Sequence, residues 1–151
     1  MPEVPYFVSY DEALTILRKH TLDIGTETVA LDHLYNRILA EDLQSTVDDP
    51  RFDNSAMDGF AFRYSDSVQT PAVLSIKQTL QAGTEEQLVH IETGQATRIM
   101  TGAPIPNGAD AVLPIERCSI SDDGTEVTLH EEGKKHFIRK QGENLKRGQT
   151  A

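Results

Sequence analysis

From Phe60 onward the chain loses the three-to-four-residue spacing of apolar side chains that a helix requires, and short stretches of alternating character take its place. Ala72 to Leu80 alternates, Glu126 to His130 alternates, and clusters of Gly, Pro, Asn and Asp cut the sequence between them. A chain punctuated in this way folds as a mostly β domain. Helical spacing is confined to the first part. Ser9 and Glu12 form a capping-box signature, and Tyr10, Ala13, Leu14 and Leu17 follow on one face, which predicts an amphipathic helix over about residues 10 to 20. Arg18, Lys19 and His20 close it at the negative end of the helix dipole. Next, Glu27 to Leu31 reads as a short strand, Asp32 caps a second helix with Leu34, Ile38 and Leu39 inward, and Asp42 to Val47 reads as extended. The predicted class is α+β, mainly β. A small helix-bearing domain comprises residues 1–48 rejoined by 138–151, and a β-rich domain, residues 49–137, is inserted into it.

Between these regions lies Asp53-Asn54-Ser55-Ala56-Met57-Asp58-Gly59-Phe60, small side chains rich in oxygen acceptors placed just before a strand. Such side chains bond to nearby backbone and favour a loop, and Asp58-Gly59 suits a tight turn if Gly59 takes a positive φ. Phe60 and Phe62 fall on one face of the following strand and anchor the loop from below. This is no EF-hand, since Ala56 falls at a ligand position and Ser65 stands where a bidentate Glu is required. What it presents is a carboxylate pair, Asp53 and Asp58, suited to a hard cation or a polar ligand; the plain alternative is a structural turn.

A second loop, Thr101-Gly102-Ala103-Pro104-Ile105-Pro106-Asn107-Gly108-Ala109-Asp110, follows the strand Ala96 to Met100. The prolines stiffen it, Gly102 and Gly108 permit close backbone approach, and Thr101 offers a hydroxyl. It lacks the Gly-Lys-Ser/Thr of a P-loop, and by its chemistry alone a stiff connector to the strand Ala111-Val112-Leu113, with Pro114 marking an edge, is the simpler reading.

Composition narrows the classes further. A net charge of −10 argues against general nucleic-acid binding. That charge is uneven: residues 1–133 carry 23 acids against 8 Lys and Arg, net −15, and residues 134–151 carry one acid against 6, net +5. The strip Lys134 to Lys140 with Lys146 and Arg147 is either a solvated face matched to an acidic neighbour or an anion contact. Cys118 is the only cysteine and reads as a small buried hydrophobe or an inert thiol, and a single cysteine fits a reducing cytoplasm better than secretion. No basic leader precedes an apolar core and no run approaches ~18 apolar residues, so neither export nor a membrane partner is expected.

The strings Asp53 to Ala61 and Arg98 to Val112 resemble the signature segments of the MoeA family, the molybdopterin molybdenumtransferases, which include the gephyrin E domain. Asn36-Arg37-Ile38-Leu39-Ala40 and Gly142-Glu143-Asn144 extend the resemblance through nearly the whole chain. It implies an elongated homodimer in which the helix-bearing region serves dimerisation. It also implies that this chain is an N-terminal fragment lacking the α/β domain that holds the pterin, and therefore inactive alone. The implied reaction is insertion of molybdate into adenylylated molybdopterin with release of AMP, using Mg²⁺, together with a molybdopterin adenylyltransferase-type partner. Asp58 and Thr101 match cleft-lining catalytic positions, Asp58 is the implied metal ligand, and Ser55, Gly102 and Asn144 are the implied cofactor contacts. The family has Asp where Asn144 stands, and Gly where Asn36 stands. A non-enzymatic dimeric scaffold or peptide-binding paralogue of the gephyrin type is the alternative function.

Overall fold

The computed structural model describes residues 7–83 and 90–151, so the predicted polar loop Gln81 to Leu88 lies mostly outside the described residues. Two compact units divide the chain, residues 1–41 and 42–151. Among the described residues the protein is mainly β with one α-helix.

In the first unit helix α1, Tyr10–Lys19, begins where the capping box requires: Ser9 Oγ accepts from Glu12 N, and the Glu12 carboxylate accepts from Ser9 N at 2.8 Å. No residue of α1 is buried. The predicted strand Glu27 to Leu31 is absent, and the predicted second helix shrinks to a single 3-10 turn, Leu31–His33. Asn36 supplies the reason, because its φ of 60° is left-handed and ends any right-handed helix there. Ile38 is consequently 92% exposed and Leu39 is exposed as well, so neither points inward.

The second unit is built on a six-stranded sheet. Its strands are β2 (Gly59–Phe62), β3 (Ala72–Leu80), β4 (Gln95–Ile99), β5 (Ala111–Pro114), β6 (Cys118–Ile120) and β7 (Glu126–Leu129), in the order β5-β2-β4-β3-β7-β6. Only the β3–β4 pair is parallel. A small two-stranded sheet pairs β1 (Asn54–Ser55) with β8 (Ile138–Arg139). Predicted alternation matches observed pairing best in β3 and β7, whose partly solvated faces give period two its contrast.

Strand β2 is buried at every position. Phe60 and Phe62 pack with Leu74, Leu113, Val127 and Leu129 on one face, and Ala61 joins Leu80, Ile99, Val112 and Ile138 on the other. Burying each Phe side chain contributes about 2 to 3 kcal/mol. Gly59 does not adopt the positive φ expected of a turn residue; it is the first residue of β2, pressed against β5. A Cβ there would stand 2.1 Å from the Leu113 carbonyl oxygen, so the glycine serves close approach.

Residues 43–50 run antiparallel to residues 142–151. Ala151 N donates to Leu43 O, Ser45 N to Gln149 O and Asp49 N to Leu145 O, with lengths of 2.8 to 2.9 Å. Both segments belong to the second unit. No helix of the described residues is long and apolar enough to cross a membrane.

Gly59→Ala should cost at least about 3 kcal/mol or abolish folding, because the clash is with backbone and no side chain can yield. Gly124→Ala, where an added Cβ meets nothing within 4 Å, should cost about 1 kcal/mol through its φ of 72° alone. Urea unfolding of residues 1–151 measures both, and equal losses would remove the packing account of Gly59.

Candidate functional site

The loop 53–58 and the loop 101–105 are laced together by their backbones. Ser55 N donates to Ala103 O at 3.0 Å, Gly102 N to Ser55 O at 2.8 Å, and Ile105 N to Asp53 O at 3.0 Å. The two loops, 43 residues apart in sequence from Asp58 to Thr101, thus form one ledge where β2 begins and β4 ends. Pro104 and Pro106 have no N–H to offer, which leaves the intervening amides to carry this pairing.

On that ledge Asp58 and Thr101 meet. Thr101 donates twice to Asp58 Oδ1, from its backbone N and from Oγ1, each at 2.7 Å. Both residues are exposed, and Asp58 Oδ2 has no partner among the described residues. The Thr101 hydroxyl and amide hold the Asp58 carboxyl below the usual carboxylate range, the hydroxyl contributing most. The result is a carboxylate kept ionised and aimed, with one oxygen fixed and one open. Gly102 completes the corner with a φ of 81°, a conformation that turns the chain back toward Ser55.

The other predicted residues go elsewhere. Asp53 does not form a carboxylate pair with Asp58: its Oδ2 takes the Lys140 ammonium at 2.7 Å and its Oδ1 takes Gln141 N at 2.8 Å, and these bonds, the lysine's first, lower its pKa. Ser55 is fully buried, and its hydroxyl donates to Met57 O at 2.6 Å. It therefore shapes the loop from inside. Asn144 Nδ2 donates to Asp49 Oδ2 at 3.0 Å, and Asn144 N donates to Asp49 O at 2.9 Å. Cys118 is half-buried, and burial with the nearby Glu116 pushes its thiol up to about 12, as an inert thiol requires.

Among the described residues no group of three or more His, Cys, Asp and Glu could hold a metal ion. Asp58 Oδ2 offers one oxygen, and Mg²⁺ demands near-octahedral coordination, so these residues do not by themselves make a Mg²⁺ site.

Sequence reasoning missed the braces on this ledge, Lys140, Asp48 and Asp49. Asp48 accepts from Gln141 Nε2 at 2.8 Å and from Arg147 N at 2.9 Å, across more than 90 residues. The only sequence signal was coarse: an acidic run at 48–53 and a basic run at 134–147.

Residues 8–151 match the family described as the MoeA N-terminal region (domain I and II). The chain belongs to that family. A molybdopterin molybdenumtransferase of Synechococcus elongatus is 37% identical over 147 residues, covering 93% of this chain and 36% of that protein. One of Haemophilus influenzae is 44% identical over 124 residues, 82% of this chain and 30% of that protein. Among solved structures, the molybdopterin biosynthesis moeA protein of Pyrococcus horikoshii OT3 superposes with a TM-score of 0.80 at 33% identity, over 95% of this chain and 39% of that one. The MoeA-family chain in hand thus spans about a third of the length of these relatives.

Because Thr101 lowers the Asp58 pKa below 3.8, Asp58 contributes stability that is present above that value and is lost as pH falls through the folded pKa. Thr101→Val removes the hydroxyl and keeps the amide. Carboxyl-detected NMR titration of the variant should show the Asp58 midpoint moving up toward 3.8 without reaching it; an unchanged midpoint would mean that the hydroxyl bond is not made in solution.

Proposed function

We propose that this chain is the N-terminal part of a molybdopterin molybdenumtransferase that inserts molybdate into adenylylated molybdopterin and releases AMP. The single observation that supports it is the Asp58–Thr101 pair, an exposed, oriented carboxylate on a ledge held together by backbone bonds between its two loops. Molybdate and the adenylylated pterin are both anionic. A lone carboxylate facing them acts by orienting a bound proton or cation and by repelling misplaced oxygens. Asp58 Oδ2 is the atom that does this, and Thr101 is its positioning residue. Gly102 brings backbone close to the same corner.

Asp58 Oδ2 is the one oxygen that residues 1–151 would offer a Mg²⁺ ion, whose chemistry would be to neutralise the anionic reactants. The pterin-holding surface lies outside 1–151, and the protein works as a homodimer in the cytoplasm, supplied by an adenylyltransferase-type partner. Residues 1–48 with 138–151 form the proposed dimerising region, and the exposed Ile38 and Leu39 suit such a role.

Full-length protein carrying Asp58→Ala should lose about 100-fold or more in molybdate-dependent AMP release, with a melting temperature close to that of the parent. A large drop in melting temperature with unchanged turnover would return Asp58 to a purely structural role. Parent protein inactive with adenylylated pterin, molybdate and Mg²⁺ would favour a scaffold of the gephyrin type.

Asn144→Asp sets a carboxylate about 3 Å from Asp49 Oδ2 in place of an amide donor. In residues 1–151 this should cost about 1 kcal/mol at neutral pH, less at high salt, since the site is exposed. In full-length enzyme, activity above the parent's would show that the added charge serves the reaction; activity below it would show that the Asn144–Asp49 bond serves it better.

A further inference from the structure

At the opposite end of β2 from Asp58 the sheet opens into a cleft of about 570 Å³, lined by Arg63, Ser65, His90, Gly108 and Asp110 among others. The four residues of β2 separate Asp58 from Arg63, five steps that span roughly 17 Å at the rise of a strand. This cleft is therefore distinct from the Asp58–Thr101 ledge.

We propose that the cleft binds the phosphate group of a small molecule. Its donors are unspent. Arg63 uses Nη1 on Thr93 Oγ1 at 3.0 Å and pairs with no carboxylate among the described residues. The Ser65 hydroxyl, the His90 imidazole and the Gly108 N–H make no hydrogen bond to the described protein. Gly108 is held at a φ of 88° with its α-carbon tight against Ile91, where a Cβ would come within 2.3 Å of the Ile91 carbonyl oxygen. The missing side chain thus serves close packing against Ile91, and Gly108 lines the cleft beside it.

The one carboxylate in the lining does not oppose an anion strongly. Asp110 Oδ1 accepts from Tyr64 N at 2.6 Å, and Oδ2 faces the Lys135 ammonium at 3.4 Å. Lys135 is held in turn over the Tyr64 ring, 4.8 Å from its centroid. With Asp110 matched by Lys135, the Arg63 charge is left over. A guanidinium, a hydroxyl, an imidazole and a backbone N–H set around one cleft suit the three or four oxygens that a phosphate presents in several directions better than the two coplanar oxygens of a carboxylate. The cleft is also wide enough to take the remainder of a small phosphate ester, being within the usual range for ligand sites.

The test uses residues 1–151 with inorganic phosphate as the probe and acetate at equal ionic strength as the comparison, followed by amide NMR. Phosphate should produce saturable shifts at Arg63, Ser65, His90 and Gly108, and acetate should not. Arg63→Gln should weaken phosphate binding about tenfold, which corresponds to about 1.4 kcal/mol, without lowering the melting temperature. Lys77→Gln, which removes an exposed positive charge from β3 outside the cleft, should leave binding unchanged. Shifts that never saturate, an equal response to acetate, or equal weakening by the two variants would each overturn the proposal. None of these outcomes bears on molybdate-dependent AMP release by the full-length protein, so the two readings stand or fall separately.

Discussion

Strand β2 is the member on which the second unit depends, because its four residues are buried on both faces and it lies between β4 and β5. Gly59 sets its distance from β5, and Phe60 and Phe62 lock its register against Leu74, Leu113 and Leu129. A one-residue slip would exchange the faces, sending both rings into a space shaped for Ala61. With that register fixed, the chain must leave β2 at its start as Asp58 and at its end as Arg63. The ledge and the cleft are the two ends of one rigid strand.

How much of this was legible depends on the distance over which each signal acts. The capping box of α1 and the alternation of β3 and β7 are local, and the structure follows them. Asn36 shows where local reading breaks down: the apolar residues Leu34, Ile38 and Leu39 have helical spacing, yet one left-handed residue between them stops the helix. Gly59 was read as a turn glycine because nothing in the sequence reveals that the Leu113 carbonyl lies 2.1 Å from its missing Cβ. Asp53 and Ser55 were placed correctly on the loop. The Asp53 side chain was misread as half of a pair with Asp58, because a carboxylate beside a loop looks free until Lys140, 87 residues on, is seen to hold it.

The uneven charge of the chain has its explanation in the same place. The acids at 48, 49 and 53 meet residues 140 to 147, so the solvated-face reading of the basic strip accounts for Lys140 and, through Asp110, for Lys135. Exposed ion pairs of this kind contribute only about 0 to 1 kcal/mol each. Their contribution is geometric. Asp48, Asp49 and Asp53 receive backbone N–H groups of Arg147 and Gln141 and side chains of Gln141, Asn144 and Lys140, which add side-chain anchors to the backbone bonds that already join the two segments.

The same reasoning explains why Asp58 suits chemistry better than Asp53 does, although both are loop carboxylates of one short string. Asp53 has a cation on one oxygen and an amide on the other, so a ligand would have to displace a bond already made and leave Lys140 unpaired. Asp58 receives two neutral donors on a single oxygen, which orient the group without neutralising it. The entropy of fixing that side chain is met when the loop folds, and the open oxygen is available at no further cost in bonds broken. A carboxylate placed in that way can act on whatever is brought against it.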